Sequence, residues 1–460
     1  MLTEARIPRV AALAAFKAEL DGLRIHDDAK TLELRSRDYF WYSPILNEQL
    51  EDCRGEVVVI PTTQEELVRV ASAAARQRLP LTLRGGGTGN YGQCVPLDGG
   101  VVVDMTRLDR VVEITPGHVR VEAGARISRL DDAVHETRQE LLMYPSTRSL
   151  ATIGGFIAGG SGGIGSFRNG TLRDDGNVTY AKIITVEPEP QVIELHGRDV
   201  HKVQHAYGTN GILAEVGLAL TPATEWLHVA ALFDGYGAAL EFATAVQEEG
   251  LDLYLLTCVE RRFSAYYRKL KDHFPADRDA VFAMVAPAEL ARFREAVAQH
   301  GGHVPFALTK DEIHSQGLQP AYELGWNHTT LQALKMDKGW TYLQVAYPHP
   351  FDTGLAKRQL ERHGDELFWH HEMAREKGRV QIFALPLVRY RGKDEMYRLI
   401  RQLEADGCTI FDPHVYTIED GGMKTIDDTQ IEFKKKADPY GLMNPGKTRG
   451  WTPEMALADD

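Results

Sequence analysis

The chain has 460 residues, 43% hydrophobic and 25% charged, with a formal net charge of −13. Its length allows roughly three domains, its composition is that of an ordinary globular protein, and its acidic balance argues against nucleic acid or an anionic membrane surface as partner. The four cysteines, Cys53, Cys94, Cys258 and Cys408, lie far apart without a C-x-x-C pair, so cysteine offers no zinc or iron–sulfur site. A cytoplasmic protein with reduced thiols is the expectation.

At the N-terminus, the apolar stretch before Gly22 is broken by Lys17 and Glu19 and reads as neither signal peptide nor membrane span. Residues 57–60, VVVI, predict a buried strand stopped by Pro61. Thr63 and Glu66 predict a capping box for a helix with Leu67, Val70, Ala71 and Ala74 on its apolar face. Leu79, Leu81 and Leu83 alternate as a second strand would.

The run TLRGGGTGNYGQCVPLDGG (82–100) comes next. Gly87, Gly89 and Gly92 spell G-x-G-x-x-G, the dinucleotide fingerprint. That motif must open a helix, whose N-terminus takes the pyrophosphate. Here Pro96 and Asp98-Gly99-Gly100 are breakers, and Val101–Met105 predicts another strand, so the required context fails. Consecutive glycines instead suit a nest of inward-turned N–H groups around an anion, and Arg84 and Thr88 add polar groups suited to phosphate. A flexible hairpin loop is the alternative.

A second glycine cluster, PSTRSLATIGGFIAGGSGGIGSFRNG, covers 145–170. Gly160, Gly162 and Gly165 repeat the spacing without a strand of normal length before it. Ser146 and Thr152 add hydroxyls, and Ile153 and Ile157 add apolar faces. Two such loops suit two sides of one extended ligand, with polar phosphates and a flat apolar ring.

Further along, 228–233 predicts a strand, Ala238 to Glu249 a helix, and 379–388 a strand. Arg389 and Arg391 follow that strand, and an arginine fork is a natural carboxylate clamp, with a solvated strand end as the alternative. Trp326, Asn327 and His328 could line a pocket or form a core turn. His414 and Tyr416 share one face of a predicted strand, and an imidazole there could accept a hydroxyl proton, against a core histidine as the alternative. The lysines of EFKKKAD read as a solvated helix face.

The blocks PLTLRGGGTG, YPSTRSLATIGGFIAGGSGG, AYGTNGILAEVGLALTP and the tail KKKADPYGLMNPGKTRGW resemble the vanillyl-alcohol oxidase / p-cresol methylhydroxylase superfamily, and within it the glycolate oxidase subunit and D-lactate dehydrogenase branch. The resemblance implies an α+β fold. Residues 1–222 would be a PCMH-type FAD-binding domain of two α/β subdomains. Residues 223–425 would be an α+β cap with antiparallel sheet, and 426–460 would return to the flavin domain. It further implies FAD contacts at Arg84, Gly85, Gly86, Gly87, Thr88, Gly89 and Asn90. On the second loop they would be Pro145, Ser146, Thr152, Ile153, Gly154, Gly155 and Gly162, with Ile212, Asn444 and Lys447 completing the set.

Thr88-Gly89-Asn90 offers no imidazole where covalent members carry a histidine, so noncovalent FAD is expected, a link from a cap histidine remaining open. The branch's metal motif would fall in LQALKMDKGWTYLQVAY (331–347), which has no histidine. Its E-H-G motif stands here as Pro413-His414, so no metal is expected. The expected reaction is oxidation of a small hydroxylated substrate, a 2-hydroxy acid first, by hydride transfer to flavin N5. His414, with Tyr416 and His328 as substitutes, would be the base, and Arg389 the anion clamp. The alternatives are a phenol- or alcohol-oxidising enzyme with an aromatic pocket, and a flavin subunit of an electron-transfer complex. A homodimer is an open expectation, and the electron acceptor is unassigned.

Overall fold

A computed structural model describes residues 8–422 and 427–459 of the chain. The expected boundary between 425 and 426 therefore touches residues outside the described ones. Among the described residues four sheets carry the architecture, which is mixed α+β.

The first sheet runs in the order Arg24–His26, Val57–Ile60, Val101–Asp104, Leu81–Arg84. The last three strands are parallel neighbours. Every residue of Val57–Ile60 and Val101–Asp104 is buried, as an unbroken β-branched run requires when both faces of a parallel strand are covered. The helix Gln64–Arg76 packs Leu67, Val70, Ala71 and Ala74 into that core. The expected capping box forms only in half. Thr63 Oγ1 accepts from Glu66 N at 3.2 Å, but the Glu66 carboxylate accepts from the backbone and hydroxyl of Thr62, one residue further out.

The second sheet is antiparallel throughout, with Ile212–Pro222 between His118–Glu122 and Val178–Ile184. An eight-stranded sheet follows, ordered His303–Leu308, Leu227–Phe233, Asp279–Val285, Leu253–Val259, His370–Glu376, Arg379–Ala384, Gln344–Ala346, Thr409–Phe411. A small three-stranded sheet joins Trp340–Tyr342, Leu387–Arg389 and Leu367–Phe368. The strand predicted over 379–388 is thus two strands in two sheets. Pro386, which has no N–H to give a ladder, stands at the break.

The chain's end comes back to its beginning. Leu81 N donates to Leu442 O at 2.8 Å and Asn444 N to Leu81 O at 2.7 Å, so the tail runs beside the strand that leads into the first glycine run. The lysine run is not wholly solvated. Lys434 is buried, donating to Asp438 at 2.9 Å and to Thr209 O at 2.8 Å.

Candidate functional site: a cleft between two glycine loops

The first glycine run leaves Leu81–Arg84 and enters Val101–Asp104 with no helix between. Those strands are parallel, so the run is a crossover and not a hairpin. Gly87 has φ +65°, a left-handed conformation that glycine adopts without strain. A Cβ at Gly85 would strike the Thr152 hydroxyl, and one at Gly86 the Leu150 carbonyl. The first cluster therefore lies directly on the second, and only backbone fits between them.

The second cluster holds a short helix, Ile153–Gly159, capped by Thr152, whose hydroxyl accepts from Gly155 N at 3.3 Å. Its first turn and the following 160–163 stretch face the same cleft as the first run. The cleft holds about 1650 Å³ counting its open mouth. The turn before Ile212–Pro222 closes one side with Tyr207, Gly208, Asn210 and Gly211.

The structure brings Gly85, Gly86, Gly87, Thr88, Gly89 and Asn90 together on the wall with Pro145, Ser146, Thr152, Gly154, Gly155 and Gly162. The other five sequence-expected cofactor residues do not line the cleft. Arg84 is buried and donates through Nη1 to Gly85 O at 3.0 Å. Ile153 and Ile212 point into the cores on either side, and Ile212 faces the first sheet while its neighbours Gly211 and Leu213 line the cleft. Asn444, at φ +44°, donates from Nδ2 to Gln93 O at 2.7 Å and Tyr207 O at 2.6 Å, tying two wall residues together. Lys447 is fully buried, its Nζ without a hydrogen-bond partner and 5.0 Å from the Tyr416 ring. Burial pulls Lys447 down to about 8 against the attraction of Asp38. Burial pushes Asp38 up to about 6 against the pull of Lys447.

The expected catalytic residues are scattered. His414 is buried and off the wall, with Nδ1 2.7 Å from Ser43 Oγ, and burial lowers its pKa to about 3. It is not on a strand. The last strand of the large sheet ends at Phe411, and the Asp412 carboxylate accepts from His414 N at 2.9 Å in a turn made by Pro413. Tyr416 packs with Leu46, Leu50 and Val95 behind the first glycine run. Arg389 is away from the cleft. It donates to Asp337 at 2.8 Å and stacks on Trp340 at 4.4 Å. His328 follows the wall residues Trp326 and Asn327 in the chain but does not itself line the cleft. Its Nδ1 is buried without a hydrogen-bond partner, and burial lowers its pKa below 6.5.

Residues outside the sequence-expected set complete the walls: Asp38, Tyr39, Tyr42, Tyr91 and Gln344. Tyr39 and Tyr42 stack at 5.8 Å. The aromatic density of DYFWYSP (38–44) was the available signal. Trp326 has φ +51°, a state that costs about 1–3 kcal/mol for such a residue. Among the described residues that line the cleft none is Lys, Arg or His. Among the described residues no group of three His, Cys, Asp or Glu could hold a metal ion, and no helix is long and apolar enough to cross a membrane.

A cleft whose crowded glycine loops admit only backbone, bordered by flat apolar rings, fits a dinucleotide with a planar ring system, and comparison with known proteins names it. Residues 55–194 match the FAD-binding domain family. The D-lactate dehydrogenase of Anaerostipes hadrus is 29% identical over 185 residues, 37% of this chain and 37% of that protein. Glycolate oxidase subunit GlcD of Escherichia coli K12 is 28% identical over 167 residues, 36% of this chain and 32% of that protein. The chain thus matches about a third of these relatives' length. The 4-ethylphenol oxidase from Gulosibacter chungangensis, 17% identical, superposes with a TM-score of 0.69 over 99% of this chain and 100% of that one. An alkyldihydroxyacetonephosphate synthase, 14% identical, gives 0.71 over 97% and 86%. The fold is that of the PCMH-type FAD-binding proteins.

Proposed function

We propose that the chain is an FAD-dependent oxidoreductase that oxidises a carbon bearing a hydroxyl group. The carrying observation is the single cleft that both glycine loops and the 207–213 turn line. Bound FAD supplies a two-electron acceptor at its N5. Backbone from Gly85 to Asn90 and around Gly154, Gly155 and Gly162 binds the pyrophosphate and ring edge, with Asn444 holding the loops in place from behind. FAD is bound noncovalently. The cysteine on the wall, Cys94, has its thiol pushed up to about 12 by burial and by Asp38, which leaves almost no thiolate to form a link. Residues 1–222 with the tail form the flavin-binding part, and 223–425 form the part that meets substrate.

His328 replaces His414 as the proton acceptor of this reading. It follows the wall residues Trp326 and Asn327 in the chain, and burial favours the neutral imidazole that takes a hydroxyl proton as the carbonyl forms. Asn327, a wall residue, orients the substrate oxygen. Arg389, committed to Asp337, leaves the clamp role.

D-lactate and glycolate, named by two relatives, support a 2-hydroxy acid. A second reading, an aromatic alcohol or phenol, is favoured by the rings of Tyr39, Tyr42, Tyr91, Tyr207 and Trp326 on the wall. Anaerobic flavin bleaching with D-lactate, glycolate, vanillyl alcohol and 4-ethylphenol tests both. Bleaching by the phenols alone supports the aromatic reading, bleaching by the acids alone returns the 2-hydroxy acid, and His328→Ala slows either by about 10²–10⁴. An unchanged rate in His328→Ala removes that residue from the mechanism.

A further inference from the structure

Trp326 opens the helix Trp326–Met336 in a left-handed backbone conformation, φ +51°, that a bulky side chain rarely adopts. What holds it there is buried chemistry. The Trp326 N–H donates to Glu372 Oε1 at 2.6 Å. The same oxygen lies 2.8 Å from Thr257 Oγ1 and 2.5 Å from His370 Nε2. Glu372, Thr257 and His370 are each fully buried, and Thr257 pairs directly across the sheet from Glu372. A Cβ on Gly325 would sit 2.9 Å from that oxygen, so the carboxylate is packed tight against the turn.

A carboxylate with no access to water is costly unless its hydrogen bonds are made. Here those that are made converge on Oε1, while Oε2 is buried without a partner, and one of the donors is the strained backbone of a cleft residue. Removing the acceptor would leave Trp326 N–H unsatisfied and release the turn to an ordinary conformation, which re-aims Trp326 and Asn327 together.

We propose that Glu372 is a positioning residue that, through the Trp326 N–H, fixes Trp326 and Asn327 as the wall facing bound flavin and substrate. The inference rests on the cofactor reading above. An indole held at that wall quenches flavin emission by donating an electron to the excited ring, so emission reports the wall's placement without any turnover.

The test compares flavin emission lifetime in the FAD-loaded wild type with Trp326→Phe, Glu372→Leu, Glu372→Gln and the double variant Trp326→Phe/Glu372→Leu. Glu372→Gln keeps a carbonyl oxygen where Oε1 stands and stays at the wild-type lifetime. Trp326→Phe and Glu372→Leu both lengthen it, and the double variant adds nothing to Trp326→Phe. Gly325→Ala, which crowds the acceptor from the other side, lengthens it as well and serves where Glu372→Leu does not fold. A wild-type lifetime in the folded Glu372→Leu or Gly325→Ala protein, an additive double variant, or no response to Trp326→Phe overturns the proposal. A wild-type chain that takes up no FAD instead overturns the cofactor reading beneath it.

Discussion

Asn444 donates its side-chain amide to the carbonyl of Gln93 at 2.7 Å, across 351 residues of chain. The same amide reaches Tyr207 O at 2.6 Å, so one side chain from the tail holds the first glycine run to the turn on the opposite wall. Its backbone is left-handed, and Asn444→Gly keeps that conformation free while removing the amide. One buried and one half-buried carbonyl then lose this donor, and we predict that FAD affinity falls about tenfold, equivalent to about 1.4 kcal/mol. Titration of apoprotein with FAD reads it. An unchanged dissociation constant would mean that the tail does not hold the loops.

Gly155 separates blocking of the cleft from damage to the fold. A Cβ there meets only the Thr152 hydroxyl, at 3.0 Å, and the residue lines the cleft. Gly155→Val should therefore fold and fail to retain FAD. Gly87→Val would confound the two, because Gly87 has positive φ and its Cβ would strike the Arg84 guanidinium. Gly22 sits at φ +87° and is a poor control, whereas Gly235 has open space around it and no positive φ. Gly235→Val should keep the flavin. Full FAD content in Gly155→Val would show an ordinary turn.

The parts legible in the sequence were those encoded locally. The β-branched runs 57–60 and 101–103 declare strands by composition, and the breakers after the first glycine run declare that no helix follows it, so it is not a Rossmann turn. The side-chain roles were not local. His414 meets Ser43, 371 residues away, and Arg389 meets Asp337, 52 residues away. The Trp326 turn looks like an ordinary helix start until Glu372 supplies the bond that strains it. Asp38, Tyr39 and Tyr42 reach the cleft from a segment that carries no motif.

His414 should reveal itself in acid stability and not in catalysis. Burial lowers its pKa to about 3, against about 6.5 in an unfolded chain. Between those values the unfolded chain binds the proton and the folded one does not. The stabilisation is complete above pH 6.5 and is lost as pH falls toward 3, by about 1.4 kcal/mol per pH unit. The carboxyls of Asp38 and Asp412, pushed up to about 6 by burial, act in the opposite direction. Subtracting the His414→Asn curve from the wild-type curve removes their share. Urea unfolding from pH 6.5 to 4 should show the wild type losing more stability than the variant. Parallel curves would mean that His414 takes up a proton in the folded protein.

The most direct measurement of the central claim is reconstitution of the purified chain with FAD, followed by acid precipitation and anaerobic reduction. The chain should take up FAD to full occupancy and turn yellow, release it into the acid supernatant, and bleach when a hydroxylated substrate is added without oxygen. A chain that takes up no flavin, or a loaded chain that no alcohol, phenol or 2-hydroxy acid can bleach, would contradict the assignment.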